Sequence, residues 1–333
     1  DVERSRGLGD VYKRQVQNDY AVGGDPRMTE STETNGSEVT TTRTEVDLQG
    51  RVVRSVDRYG IASTVTYDTR TGNVATTTIT APGAAPVVLA NVWNANGWLE
   101  STSVDGRTVA TPTYGADAAV ASVAYGNGVQ LRLTENAQNR IVGAAWTTPA
   151  GAFASTKAVS AGGNVSGATL SAPQGSSTFA YTHDANGRLD SVSVTKGLVP
   201  MARTWNWTFD GASNRLTQKV ADEGSVVGDW TYTYDTASQL TSTTDPAAKD
   251  GLTYDDRGNA TKVGPDTFTY DAADNVIAAT DGTRTVTYAR DVAGSVLATT
   301  TEGGPGAGTI RYSSSGVLLD ADSRAYAIGI TLP

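Results

Sequence analysis

The sequence has 333 residues with 35 acidic and 26 basic side chains, which gives a net charge of −9. This acidic balance, without a cluster of Lys and Arg, argues against a nucleic-acid-binding surface. The absence of cysteine excludes disulfides, thiolate nucleophiles and cysteine-ligated zinc. No stretch approaches the roughly 20 apolar residues of a membrane-spanning helix, and no signal peptide is visible. Abundant Thr, Val and Tyr favour strands, and Gly and Asp favour turns.

The first 15 residues, DVERSRGLGDVYKRQ, match nothing that follows. They resemble a tail often found on translated environmental gene fragments, and we interpret residues 1–15 as non-native; the alternative is a short basic linker. Residues 16–45 form a Thr-rich, poorly defined lead-in. Because the chain begins at Asp1 and ends at Pro333 in mid-pattern, we expect a fragment of a longer protein.

Residues 46–300 contain an internal repeat of roughly twenty residues. Each unit has an Asp or Asn after a strand-like residue and a Gly, Ser or Asp three positions later, at Asp47/Gly50, Asn94/Gly97, Asp184/Gly187, Asp235/Ser238, Asp255/Gly258, Asp271/Asp274 and Asp291/Gly294. Two units have one extra residue, at Asp68/Gly72 and Asp210/Asn214, and a degenerate unit places Glu135 and Asn139 in the same relation. We expect two further units, without the signature, around Tyr114 and Phe153.

The chemistry of one unit predicts a β-hairpin. An Asp that opens a tight turn accepts hydrogen bonds from the amides ahead of it, and a later Gly tolerates positive φ. The flanks alternate with period two, as in Trp230–Tyr234, which is typical of a strand with one covered face. We therefore predict antiparallel strands with turns at Asp68–Gly72, Asp184–Gly187, Asp235–Ser238 and Asp255–Gly258. Residues 301–308 are a Gly-rich connection before final strands in residues 309–333.

Tyr-Asp, two or three residues, Gly or Asn, a polar residue and then an apolar one, repeated in this way, resembles the YD repeats of Rhs proteins. Teneurins and the shell-forming C subunits of insecticidal toxin complexes share these repeats. Tyr125–Val129 resembles their YGNG variant, and the ending from Arg311 resembles the end of the shell in actinobacterial members. The resemblance implies an all-β fold in which repeated antiparallel hairpins form a long, curved and spiralling sheet.

For function, the resemblance implies a shell segment of a secreted or cell-surface bacterial protein. Its partner would be a C-terminal toxin or other cargo domain of the same full-length chain. Shells of this family end in a core motif with Asp-Pro and Gly, which is associated with self-cleavage. Here Asp245-Pro246 lies between repeats and is followed by Ala247-Ala248. The final strands therefore stop before the core motif, and autoproteolysis cannot be assigned to any residue.

The repeated Asp residues could instead be paired carboxylates for hydrolysis or calcium ligands, but the turn interpretation explains their spacing, and no calcium-binding motif is present. Asp320 and Asp322 indicate a turn, and His183 takes the Tyr place of its unit. Gly303–Gly308 lacks the Lys and Ser/Thr of a phosphate-binding loop. We therefore predict no catalytic, cofactor-binding or metal-ligating residue, no cofactor, and no enzyme.

Five tryptophans keep a second function open. Their rings could stack on a surface glycan, which would make the chain a carbohydrate- or cell-surface-binding adhesive module, although packing on the sheet is the default: Trp93, Trp98, Trp205, Trp207 and Trp230.

Stacked repeats bury their faces only against neighbouring repeats. We therefore expect unpaired strand edges near Val46 and after Thr309. Unpaired edges recruit other chains, so we expect the isolated chain to self-associate.

Overall fold

The computed structural model describes residues 14–35, 38–248, 251–290, 294–304, 306–312, 317–319 and 325–327. Apart from one short 3-10 turn at Val22–Gly24, the regular elements of these residues are strands. The predicted all-β fold of antiparallel hairpins is confirmed. Asp291, Asp320 and Asp322 lie outside the described residues.

The chain divides into two compact units. The first takes in Asp1–Trp98, Ser103–Gly106 and Thr253–Pro333, and the second takes in Leu99–Thr102 and Arg107–Leu252. The strands up to the first crossing between units are β1 (Arg14–Tyr20), β2 (Met28–Asn35), β3 (Glu38–Val46), β4 (Val52–Val56), β5 (Ala62–Tyr67), β6 (Val74–Thr80), β7 (Val87–Trp93) and β8 (Leu99–Val104).

The strands of the second unit continue hairpin by hairpin. They are β9 (Arg107–Tyr114), β10 (Val120–Tyr125), β11 (Gln130–Glu135), β12 (Ile141–Thr148), β13 (Gly151–Val159), β14 (Val165–Ala172), β15 (Gly175–His183), β16 (Leu189–Val194), β17 (Arg203–Phe209), β18 (Arg215–Asp222), β19 (Ser225–Tyr234) and β20 (Leu240–Thr243). Each strand from β9 to β19 pairs antiparallel with the next one in the chain.

The chain then returns to the first unit. Its strands are β21 (Leu252–Tyr254), β22 (Ala260–Val263), β23 (Asp266–Tyr270), β24 (Val276–Thr280), β25 (Thr285–Arg290), β26 (Val296–Glu302), β27 (Gly308–Tyr312), β28 (Val317–Leu319) and β29 (Ala325–Ala327). Consecutive pairing holds from β1 to β7 and from β22 to β29.

Period-two alternation makes the strands two-faced, as predicted. In β19, Tyr232 is buried while Thr231 and Thr233 are exposed. The apolar core is small: Ile61, Ile79 and Ala81 form a buried cluster in the first unit.

The hairpin turns have the geometry that the repeat predicts. The Gly187 amide donates to the Asp184 carbonyl at 2.9 Å, and the Asp184 amide donates to the Arg188 carbonyl at 2.8 Å. The strand register shifts beside the turn, between Thr182 and His183, which is the bulge that accompanies a left-handed residue. Gly187 has a φ of 78°. The other three predicted turns are confirmed by the same carbonyl-to-amide bond, at Asp68–Gly72, Asp235–Ser238 and Asp255–Gly258.

Three details of the repeat are corrected by the structure. In the unit of Asp210 the left-handed residue is Ser213, with a φ of 71°, so this unit has no extra residue. The degenerate unit uses Asn136, not Glu135, because the Asn136 carboxamide can accept the turn amides and its carbonyl accepts from Asn139. A turn from Asp57 to Gly60 was missed.

The units without a signature are only partly where we expected them. A turn follows Tyr114 directly, from Gly115 to Ala118. Phe153 lies within β13, and the turn of that region falls later, from Ser160 to Gly163.

The strand edge expected near Val46 is wrong. β3, which ends at Val46, pairs with β2 on one side and β4 on the other. β27, which contains Thr309, pairs with β26 and β28. The additional strands before Val46 come from the Thr-rich lead-in. The first of them, β1, begins at Arg14, within the stretch interpreted as a tail. After Thr309 the sheet continues through β28 and β29, and an edge beyond them stays a prediction.

We expect Gly187→Val to destabilise its hairpin by about 1 kcal/mol or more, because a β-branched residue resists the left-handed region. A Cβ at Gly187 has only Asn164 within 4.0 Å, so conformation and not collision sets the effect. Urea denaturation measures it. The matched control is Gly211→Ala, in open space on a neighbouring turn without positive φ, which should be neutral or stabilising. Equal losses for both variants would contradict the turn argument.

Candidate functional site

The repeated aspartates hold their own turns together. In the turn of Asp184, carboxylate Oδ1 accepts the amides of Asn186 at 2.9 Å and Arg188 at 3.0 Å. The same pair of bonds, to the second and fourth residues ahead, occurs at Asp47, Asp57, Asn94, Asn136, Asp235, Asp255 and Asp271. These oxygens are therefore engaged by the backbone.

Hydrogen bonds to the charged form lower the pKa of several turn carboxyls. For Asp184 the main cause is the Arg188 amide, and for Asp255 it is the Asn259 side chain, in both cases against a raising effect of desolvation. The pKa of Asp47 and of Asp210 is lowered in the same way, by Arg51 and by Asn214. A carboxylate held in its charged form is a poor general acid.

In five of the described turns, the second carboxylate oxygen accepts a hydrogen bond from the side chain four residues after the Asp. Arg188 Nε donates to Asp184 Oδ2 at 2.7 Å, and Asn259 Nδ2 donates to Asp255 Oδ2 at 3.0 Å. Arg51, Asn214 and Asn275 do the same in their own turns.

That same side chain also reaches the following turn. Arg188 Nη1 donates to the Asp210 carbonyl at 2.8 Å, and its guanidinium lies 4.8 Å from the centre of the Phe209 ring. Asn259 Nδ2 reaches Asp274 Oδ1 at 2.8 Å. We call this series of contacts between successive turns the turn ladder. Where it occurs, it ties a hairpin to the next one at the turn end of the strands.

In several hairpins, the Thr just before the aromatic residue of the repeat forms a hydrogen bond across the two strands on their polar face. The hydroxyls of Thr66 and Thr76 lie 2.6 Å apart, and those of Thr208 and Thr217 lie 2.7 Å apart. This cross-strand bond explains the Thr that precedes Tyr-Asp or Phe-Asp in these units.

The second unit contains an open aromatic cleft of about 460 Å³. Trp205, Trp207 and Phe209 share one face of β17 because they lie two residues apart. We call this surface the aromatic cleft, and its lining residues are Leu189, Trp205, Trp207, Phe209, Arg215 and Gln218.

The polar groups of the aromatic cleft are prearranged. Gln218 Oε1 accepts from Trp207 Nε1 at 3.1 Å and from Arg215 Nη1 at 2.6 Å. The Arg215 guanidinium lies 4.2 Å from the centre of the Tyr232 ring, and this cation–π contact helps to hold the guanidinium in place. The cleft thus offers flat apolar rings beside a positive charge and an amide.

The structure brings only two of the five predicted tryptophans into this cleft. Trp93 donates Nε1 to the Val74 carbonyl at 2.8 Å. The Trp230 ring lies over Gly228, where a Cβ would come within 2.4 Å of it. These two rings pack on the sheet. Trp98, half-buried, ends the turn of Asn94.

Sequence reasoning overlooked Trp146, which lies opposite Phe153 across β12 and β13. The signal that could have shown it is the alternation in the segment from Ile141 to Thr148.

The remaining residues considered for chemistry have structural positions. His183 lies half-buried opposite Leu189 beside the register shift. Asp245 opens a turn, since its carbonyl accepts the Ala248 amide at 3.0 Å. Burial, together with the bond to the Asp245 carboxylate at 3.0 Å, raises the pKa of Tyr232 to about 12.

Among the described ranges, no group of three or more His, Cys, Asp or Glu side chains is arranged to hold a metal. The part of the chain that the structure describes also contains no helix with the length and apolarity to cross a membrane.

We expect the chain to lose stability in acid. An aspartate with a lowered folded pKa contributes stability above its ordinary value of about 3.9, and this contribution is lost as the pH falls through the folded pKa. The urea midpoint should therefore hold at neutral pH and fall below about pH 4.

The double variant Asp184→Asn, Asp255→Asn should show a shallower fall, because an amide oxygen still accepts the turn amides but does not titrate. Asn94 and Asn136 show that Asn is compatible with such a turn. The control is Asp229→Asn, on the exposed side of β19. An acid fall as steep as that of the wild type in the double variant would contradict the role of these carboxylates.

Comparison with known proteins supports the repeat. Residues 203–249, from β17 to just past β20, match the RHS Repeat family. No curated protein matches the chain. The solved structure of TcdB2-TccC3-Cdc42 is similar with a TM-score of 0.60 and 14% identity, over 90% of this chain and 16% of that chain.

Two further solved structures are similar to this chain. The Photorhabdus luminescens Tc holotoxin pore has a TM-score of 0.59 and 14% identity, over 88% of this chain and 16% of that chain. TcdB2-TccC3 has a TM-score of 0.58 and 15% identity, with the same two coverages of 88% and 16%. The chain thus spans about one sixth of the length of the chains it resembles, and at this identity the likeness concerns the fold. Residues 203–249 thus carry an RHS-type repeat, and the turn ladder occurs in both units of the chain.

Proposed function

We propose that this chain is a segment of a shell wall in a longer Rhs/YD-repeat protein, and that the wall encloses a C-terminal toxin or other cargo domain of the same protein. The observation that carries the proposal is the likeness to the Tc structures over 90% of this chain. The Rhs resemblance also favours a secreted or cell-surface location.

The turn ladder suits a wall. The hairpin of Asp184 is bonded to the next one through its strands and again through its turn, where Arg188 reaches the Asp210 carbonyl. Repeats joined only to their neighbours can extend a sheet without a large central core. The wall would then be stable with the few buried apolar residues observed.

The two faces of the sheet also suit a wall. On β17 the aromatic residues share one face, and the other face carries Asn206 and Thr208, which are exposed. Threonine hydroxyls face water at little cost, whereas the aromatic face offers an apolar surface to whatever lies against it.

We infer a structural role and not a catalytic one. The carboxylates that the repeat supplies in number have their oxygens on turn amides and on neighbouring side chains, as at Asp184 and Asp255. A hydrolytic pair needs at least one carboxyl that is free to exchange its proton with a substrate.

The test is limited proteolysis of the full-length gene product that contains this segment. We expect the C-terminal domain to resist protease while the wall is folded, and to be degraded once urea unfolds the wall. The control is the same C-terminal domain expressed alone, which should be cut at once. Equal cleavage rates for the free and the attached domain, with the wall intact, would contradict enclosure.

A second candidate function is an adhesive module that binds surface glycan. The aromatic cleft favours it, since Trp205, Trp207 and Phe209 place three rings beside Arg215 and Gln218. Sugar rings stack on aromatic faces while their hydroxyls bond to neighbouring polar groups.

If the cleft binds glycan, Trp205→Ala should reduce the affinity at least about tenfold, which corresponds to the loss of about 1.4 kcal/mol. Isothermal titration with the oligosaccharides that bind wild-type protein measures this loss. The matched control is Trp93→Ala, because Trp93 donates its indole N–H to the backbone outside the cleft. No binding by the wild type, or equal losses in both variants, would exclude the cleft as a glycan site.

A further inference from the structure

The turn of Asp57 differs from turns such as those of Asp184 and Asp255 in one respect. Its Oδ1 accepts the amides of Tyr59 and Ile61, both at 2.9 Å, as the repeat requires. The fourth residue ahead is Ile61, which is fully buried and has no side-chain donor. In the turn of Asp255 that place belongs to Asn259, which satisfies the second oxygen.

Asp57 Oδ2 is consequently buried without a donor. The residue is 7% exposed, and among the described residues no group donates a hydrogen bond to this oxygen. An ionised carboxylate oxygen buried in this way is costly unless a donor or a cation compensates it.

Asp57 lines a cavity of about 190 Å³ within the first unit. The hydroxyl-bearing residues Ser31, Thr40 and Thr42 line it as well. Since one water occupies about 30 Å³ of liquid, the cavity has room for a small ion with several waters or for a small organic group.

The charges around the cavity leave one negative charge uncompensated. Arg58 pairs with Glu33 at 3.2 Å, and these side chains are 14% and 12% exposed. Arg58 also donates to the Thr40 hydroxyl. Since the described ion pairs give Arg58 to Glu33, no cation among the described residues pairs with Asp57.

We propose that this cavity binds a small monovalent cation, either an alkali metal ion or a primary ammonium group, whose charge the Asp57 carboxylate balances. Oxygen ligands from a carboxylate and from hydroxyls suit both. A divalent ion fits poorly, because calcium is usually held by six to eight oxygens that include several carboxylates, and here a single carboxylate is unpaired.

The cation would stabilise a contact between distant parts of the first unit. Tyr59, two residues after Asp57, donates its hydroxyl to the Leu297 carbonyl on β26 at 2.8 Å. A bound cation that relieves the strain of the buried charge would hold this turn in place. Its binding therefore shifts the thermal unfolding midpoint by mass action.

The experiment measures the thermal unfolding midpoint of the wild-type chain in NaCl, KCl, ammonium chloride and methylammonium chloride, against choline chloride at equal ionic strength. Choline carries the same charge but is too large and has no N–H donor. We expect the unfolding midpoint to rise saturably by about 2 °C or more with the salt of at least one small cation. A response to the ammonium salts alone assigns an ammonium site, and a response to sodium or potassium assigns a metal-ion site.

Asp57→Asn should abolish the cation response, since Asn keeps the acceptor of the turn and removes the charge. The matched control is Asp255→Asn, which changes a turn whose second oxygen already has a donor, and which should keep the response. Equal midpoints for the wild type in all salts would overturn the proposal, and this result does not depend on how the variants fold. A response that survives in Asp57→Asn would overturn it as well.

Discussion

The structure depends on one interaction, the hydrogen bonds of an Asp or Asn side chain to the two turn amides ahead of it. These bonds close a four-residue turn that ends in a left-handed residue, as Gly187 shows with a φ of 78°. Such a turn leaves a bulge beside it, which sets the register of the following strand. Because these bonds lie within one turn, the local sequence of each hairpin specifies where the chain reverses. Few apolar residues are then needed to specify the fold.

The second oxygen of the same carboxylate links one hairpin to the next. Arg188 binds Asp184 and then reaches the carbonyl of Asp210 and the ring of Phe209. Two sets of contacts therefore hold these neighbouring hairpins together, strand pairing and the turn ladder. A sheet held at its edge in this way can present two different faces, one with threonine and one with aromatic rings. This combination is what makes a wall a better interpretation than a catalytic domain.

Departures from the repeat show where other functions could arise. At Asp57 the polar fourth residue is replaced by Ile61, which adds to the small core but leaves a carboxylate oxygen without a donor. At β17 the strand carries Trp205 and Trp207 on one face, and the neighbouring strand supplies Gln218 as an acceptor for one of the indoles. In both places a side chain serves the local packing and also lines an open space beside polar groups.

The sequence by itself determined the all-β fold, the four predicted turns and the positive φ of the residue that ends each of them, since these follow from contacts within a few residues. It could not decide that Ser213 rather than Asn214 is the left-handed residue, because Asn214 is held by its side-chain bond to Asp210 and to Ser238 on the next turn. Only tertiary structure decided which tryptophans share a cleft and that Asp57 meets a cavity beside Glu33 and Arg58. Those arrangements depend on which residues of separate strands lie side by side, and a repeat that defines each hairpin separately does not specify that placement.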